Sequence, residues 1–131
     1  MLNKFVLYRG ILPLFFSNVS ILRKLTTFIK HKFIPIYYGG FWDVPDSFLT
    51  EYKSEVYLFT REFDEELDDY PPNYEVYNVK NITLEDSVKE NLWFPYNYEE
   101  KIFLGEIPTA DVIFDWSNRK FVNTIVFEMI K

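Results

Sequence analysis

Aromatic side chains constrain this chain more than any other feature of its sequence. Fourteen Phe, ten Tyr and three Trp recur along 131 residues, from Phe5 to Phe127. Each ring that is buried removes roughly 150–250 Å² from water. Disordered chains are poor in such residues, so collapse around a ring-filled core is expected. At this length one core suffices, which predicts a single domain over residues 1–131. Burial of about two-thirds of the unfolded surface makes disulfide or metal staples unnecessary for a chain of this size.

The pattern along the chain alternates between strand-like and helix-like stretches. Residues 2–8 read as a strand ending near Gly10. From Ser20 to Lys32 the apolar residues Ile21, Leu22, Leu25, Phe28 and Ile29 recur at helical spacing, with Ser20 as N-cap and basic residues in the last turn. Pro35 blocks further helix. Ile36-Tyr37-Tyr38 reads as a short strand running into Gly39-Gly40, and Phe41 to Pro45 as a bulky loop. Glu55–Phe59 and Tyr74–Val79 are rich in β-branched and aromatic residues and read as strands, the second with Tyr74 and Val76 on one face and Glu75 and Tyr77 on the other. Thr83 to Leu92 turns helical, with Thr83 as N-cap and Glu85 and Asp86 in the first turn. Residues 101–104 read as a further strand. Asp111–Trp116 and Lys120–Met129 read as a hairpin around Ser117-Asn118-Arg119. Helices segregated from several strands predict an α+β fold, a mainly antiparallel sheet with about two helices packed on it.

Much catalytic chemistry finds no residues here. There is no Cys, which removes thiolate zinc, iron–sulfur clusters and Cys nucleophiles. The one His, His31, stands between Lys30 and Lys32, and no Gly-x-Ser-x-Gly elbow exists to receive it as a base. Gly39-Gly40 is followed by no Lys-Ser or Lys-Thr, so no phosphate cradle is built there. No enzyme, no cofactor and no metal is therefore expected. Phe5 to Leu22 is interrupted by Arg9, Gly10, Pro13, Ser17 and Asn18, too often for a spanning helix or an export signal. Stable membrane insertion is not expected, and a cytoplasmic protein is. A basic helix over 20–32 lying on an anionic membrane is the alternative, although packing such a stripe on a sheet is the commoner use.

Charge is partitioned along the chain. Residues 1–42 hold six basic side chains and no acid, whereas residues 43–131 hold eight basic side chains and all 20 acids. The acids concentrate in Glu62-Phe63-Asp64-Glu65-Glu66-Leu67-Asp68-Asp69, six carboxylates within eight residues. Phe63, Leu67 and Tyr70 fall at helical spacing, predicting a short helix with one anchored face, closed by Pro71-Pro72. EF-hand spacing and its glycine are missing, which argues against a calcium loop. Clustered carboxylates suit docking to Lys and Arg and speed such encounters. Rings beside them supply anchors, because interfaces draw their strongest contacts from Trp, Tyr and Arg. The expected partner-binding set is thus Asp64, Glu65, Glu66, Asp68 and Asp69, with Trp42, Tyr70 and Tyr74 as anchors and Asp43 beside Trp42.

The stretches IYYGGFWDVP, residues 36–45, and FDEELDDYPPNYEVY, residues 63–77, resemble segments of small bacterial proteins. In general build the chain also resembles the bacterial toxin-immunity class, whose members are small, cysteine-free, acidic and aromatic. That resemblance implies a mode of action: a non-enzymatic intracellular binding protein that occludes a basic toxin domain, such as a nuclease, without binding nucleic acid itself. Two other readings stand beside it. One is a nucleic-acid mimic whose carboxylates imitate phosphates. The other is a small hydrolase using carboxylates such as Asp43 and Glu51 across an aromatic cleft.

Overall fold

In a computed structural model of the chain, residues 31–117 and 119–130 are described. The expected strand 2–8, almost all of the expected helix 20–32 and the hairpin-tip residue Asn118 lie outside them. The chain divides into two units, Met1–Lys32 and Phe33–Lys131, and the second holds every element that follows. Strands β1 (Phe33–Pro35), β2 (Tyr37–Phe41), β3 (Pro45–Tyr52), β4 (Glu55–Thr60) and β5 (Asn73–Val79) come first in the chain. Helix α1 (Leu84–Lys89), strands β6 (Lys101–Pro108) and β7 (Phe121–Asn123) and helix α2 (Val126–Met129) complete it. The class is α+β with antiparallel sheets, as the sequence predicts.

The main sheet is a five-stranded meander, β2-β3-β4-β5-β6, in which each strand pairs antiparallel with its neighbour in sequence. The β3–β4 connection is the tightest available. Tyr52 pairs with Glu55, and both turn residues, Lys53 (φ 51°) and Ser54 (φ 66°), are left-handed. That is the backbone of a type I′ turn, whose twist matches that of the strands it joins. A small second sheet pairs β1 with β7.

Side-chain alternation splits the core between the two faces of the meander. On the first face Phe48 and Phe59 stack at 4.5 Å, and Tyr74 meets Phe48 edge-on at 5.4 Å. Val112, Val122, Val126 and Phe127 pack over them. On the second face Leu49, Val56, Leu58 and Val79 are buried beneath Leu84 and Val88 of α1 and beneath Leu92, Trp93 and Tyr98. Helix α1 begins where the sequence predicts it. Thr83 accepts a hydrogen bond from the Asp86 N–H at 3.0 Å, satisfying one of the donors a helix start leaves open, and acids occupy the first turn. Among the described residues no helix is long and apolar enough to cross a membrane.

The expected hairpin over 111–129 is only partly present. Phe114 bridges Val122 and Asn123 N–H donates to the Ile113 carbonyl, but the chain then turns into α2. Val126 and Phe127 reach the first-face core from that helix, a tertiary gain that continued strand pairing would forfeit.

Candidate functional site

One row of cross-strand partners runs across the whole meander: Gly40, Ser47, Thr60, Glu75 and Glu106, each opposite the next. Since facing residues of an antiparallel pair share a face, the row lies on the second face. Helix α1 and the 92–98 segment cover the apolar residues further along that face; in this polar row Ser47 and Thr60 are buried while Glu75 and Glu106 are exposed. Within it the Ser47 and Thr60 hydroxyls share a hydrogen bond at 2.5 Å. Glu75 and Glu106 face each other directly, a like-charge pair that weakens a sheet.

The segment between β4 and β5 stands over this row, and it is no helix. Asp64 and Asp69 exchange backbone hydrogen bonds at 2.9 and 3.3 Å and so close a four-residue loop. The Asp64 carboxylate accepts from the Glu66 N–H (2.9 Å) and the Leu67 N–H (3.3 Å), and Asp68 adopts φ 54°. Asp is among the few side chains that tolerate this backbone and capture nearby N–H groups, and here those local bonds win over a weak helical spacing. Pro71-Pro72 then returns the chain to β5, where the Pro72 carbonyl accepts from Thr109 N–H at 2.8 Å.

Between loop and row lies a trough of about 610 Å³, whose lining includes Thr60, Arg61, Glu62, Asp64, Glu65, Glu75 and Glu106 together with the prolines. Five of those side chains are carboxylates. Among the described residues none of the five lies in an ion pair. Glu75 accepts from the Tyr77 hydroxyl at 2.9 Å and Glu106 from the Asn73 amide at 3.1 Å, both neutral donors. The Tyr77 hydroxyl is pushed up to about 12, first by its burial and then by Glu75 and the neighbouring Glu106 and Glu62. The loop also presents apolar groups outward: Phe63 is 47% and Leu67 62% exposed, and Trp42, on the β2–β3 connection at the same end of the sheet, is 69% exposed.

The one cation in the trough's lining is Arg61, whose side chain is 4% exposed. Its guanidinium donates to Asp43 at 2.6 Å, lies 3.6 Å from Asp46 and stacks 4.8 Å from the centre of the Tyr70 ring. The hydrogen bond from Arg61 holds the Asp43 carboxyl below its usual range. Burial pushes Asp46 above it, against the opposing pull of Tyr70 and Arg61.

This geometry sorts the expected partner-binding residues. Glu65, Glu66 and Asp68 are exposed on the loop with no cation near them among the described residues. Asp64 and Asp69 spend part of their acceptor capacity on the loop's own backbone, the second through Tyr70 N–H at 2.7 Å. Tyr70 is half-buried between Arg61 and Phe63, whose ring it meets edge-on at 5.3 Å. Two expectations are corrected. Tyr74 is fully buried, with its hydroxyl donating to the Pro45 carbonyl at 2.5 Å, and it touches no partner because alternation turns it into the core. Asp43 is already neutralised by Arg61. Asp43 precedes β3 and Glu51 lies six residues past that strand's start, about 20 Å along it at strand rise, so the strand does not bring the two carboxylates to the roughly 5–10 Å that paired-acid chemistry uses. Glu62, Glu75 and Glu106 were not among the expected site residues. Glu75 carried a signal, standing opposite Tyr74 in an alternating strand, but only the β5–β6 register brings Glu106 to it. Among the described residues no group of three or more His, Cys, Asp or Glu is placed to hold a metal ion.

Compared with protein-family models, with curated proteins and with solved structures, the chain gives no match.

Proposed function

We propose that this chain is a non-enzymatic binding protein that captures a basic protein partner over the acidic trough and its loop, in the manner of an immunity protein occluding a toxin domain. The single observation that carries the reading is the trough itself: five lining carboxylates, two of them opposed across a strand pair and none in an ion pair among the described residues, the one lining cation, Arg61, being paired with Asp43 and Asp46 instead. Leaving like charges in register costs stability, and a cationic partner recovers that cost on binding. Exposed Trp42, Phe63 and Leu67 supply the apolar contacts that slow dissociation, while the carboxylates speed association. A cationic surface that a toxin uses for its own substrate would be covered by this contact.

The test is the association kinetics of a cationic protein co-purified with the chain, measured by stopped flow across a salt series. Converting Glu65, Glu66 and Asp68 to Lys is expected to lower the association rate by about tenfold or more at low salt and to abolish its salt dependence. Circular dichroism should be unchanged and melting only slightly lower, since none of the three side chains has a structural partner and only Asp68, at φ 54°, stands in a backbone region that Lys tolerates less well. An unchanged rate at all salt concentrations removes this surface from consideration. Competition by double-stranded DNA for many unrelated basic proteins, in place of one selected partner, would point to mimicry of nucleic acid instead.

A further inference from the structure

A second recess, of about 350 Å³, adjoins the trough and shares Arg61, Glu62 and Phe63 with it. Its floor is the other end of the same cross-strand row, Gly40 and Ser47, with Gly39 beside them. The two glycines make room. A Cβ on Gly39 would stand 2.6 Å from the Trp93 ring, and one on Gly40 would stand 2.8 Å from Asp46 Oδ2. Side chains in their place would push the indole and the carboxylate away from the β2 backbone. Phe63, Tyr70 and Phe94 add three more rings to the walls.

What such a recess accepts follows from its charges. Asp46 Oδ1 makes no hydrogen bond and has Arg61 as its nearest cation, at 3.6 Å, while Glu62, also in the lining, has no ion-pair partner among the described residues. Arg61, the one cation in the lining, is held by Asp43 at 2.6 Å, by Asp46 at 3.6 Å and by the face of Tyr70, with only its buried Nε left without a hydrogen-bond partner. An anion would meet two carboxylates and a guanidinium whose charge is already paired with Asp43 and Asp46. A neutral apolar group would gain the ring walls but neither carboxylate. A cationic group gains both carboxylates and the negative faces of the rings.

We infer that this recess is a socket for one lysine or arginine side chain of the basic partner, with Trp93 and its neighbouring rings as walls and Asp46 and Glu62 as counter-ions. The inference rests on the docking reading above and adds to it a single point of entry. Trough carboxylates would set the rate of encounter, whereas the socket would set the register in which the partner settles.

The test is NMR of the ¹⁵N-labelled full chain, following the Trp93 indole N–H and the Gly39 and Gly40 amides. The probes are N-acetyl-arginine amide and N-acetyl-lysine amide, with the citrulline and Nε-acetyl-lysine amides as uncharged isosteres. The charged probes are expected to move these three signals saturably and to bind about tenfold more tightly than the isosteres. Glu62→Gln, at an exposed residue without a partner, should weaken the charged probes and leave the neutral ones unchanged. Asp46→Asn should do the same more strongly; if that variant loosens the fold, Glu62→Gln still decides. Equal binding of charged and uncharged probes, or shifts confined to the loop 64–69, overturns the socket. If the Lys variants of the loop slow partner association while Trp93 stays unmoved by the charged probes, only the socket fails. If the probes bind at Trp93 but loop reversal changes nothing, the docking reading fails and the socket remains.

Discussion

Replacing Tyr74 separates a core residue from a binding residue, because the two roles predict opposite results. Its hydroxyl donates to the Pro45 carbonyl at 2.5 Å and ties the start of β3 to β5 at the end of the sheet beneath the trough, while its ring meets Phe48 and Phe59 edge-on. Tyr74→Phe keeps the ring and leaves a buried carbonyl unpaired, which costs about 1–3 kcal/mol. Tyr74→Leu also loses both edge contacts and opens a cavity, for a total of about 3–5 kcal/mol. Urea unfolding reads both as a lower midpoint at constant slope. The pH dependence supplies a second signature. Burial holds the Tyr74 hydroxyl well above its ordinary value of 10, so the folded chain keeps a proton that the unfolded chain releases. That stability is fully present below about pH 10 and is lost progressively as pH rises above it. Tyr74→Phe lacks this term, so the gap between the two proteins should narrow above about pH 10. Tyr77 titrates in the same direction in both proteins and cancels. A Tyr74→Phe variant within about 0.5 kcal/mol of the parent, or one that binds a basic partner more weakly at equal stability, refutes the burial argument.

Four further outcomes are expected. Ser54→Gly relieves a left-handed residue in the β3–β4 turn (φ 66°) and should stabilise by about 1 kcal/mol, read as a raised melting temperature. Thr83→Ala removes the α1 cap and should cost about 1 kcal/mol in urea unfolding. Because Arg61 depresses the Asp43 carboxyl, the stability this pair gives is present above the ordinary carboxylate range and is lost as pH falls through the depressed value; an acid titration of Asp43→Asn should show a shallower loss, with the raised Asp46 running in the opposite sense in both proteins. Glu106→Lys converts the like-charge pair with Glu75 into an opposite-charge one and should stabilise by roughly 0.2–1 kcal/mol while weakening a basic partner, as unfolding and binding measured on the same sample will show.

Where a segment's own residues decided its structure, the sequence was readable. Glu-Val-Tyr-Leu-Phe and the alternating Tyr74–Val79 stretch form β4 and β5, and Thr83 caps its helix. Strand β3 was hidden for a physical reason. It opens on Pro-Asp-Ser and carries Ser47 and Thr50 into the interior, where Thr60 and the Pro35 carbonyl satisfy them, and those partners lie 13 and 15 residues away. Its turn was hidden too, since Lys53-Ser54 occupies a conformation that usually announces itself with Asn-Gly. In the acidic loop, Phe63, Leu67 and Tyr70 spaced a helix correctly on paper. The spacing lost to two Asp side chains that bond the local backbone. The carboxylates flagged in sequence are mostly the loop's outer surface, and the trough beneath them depends on a register that no local pattern encodes.

The row Gly40–Ser47–Thr60–Glu75–Glu106 explains why both recesses sit where they do. Further along the same face the sheet buries Leu49, Val56, Leu58 and Val79 under α1 and the 92–98 segment. Along the row itself the residues are small at the β2 side and acidic at the β6 side, so neither half can anchor an apolar cover. Small residues let Trp93 and Asp46 approach the backbone and shape a socket; acids repel one another and hold the trough open to water. A sheet built for stability alone would place an opposite charge against Glu75. The like-charge pair left at the β6 end is the cost that the basic partner proposed above would offset on binding.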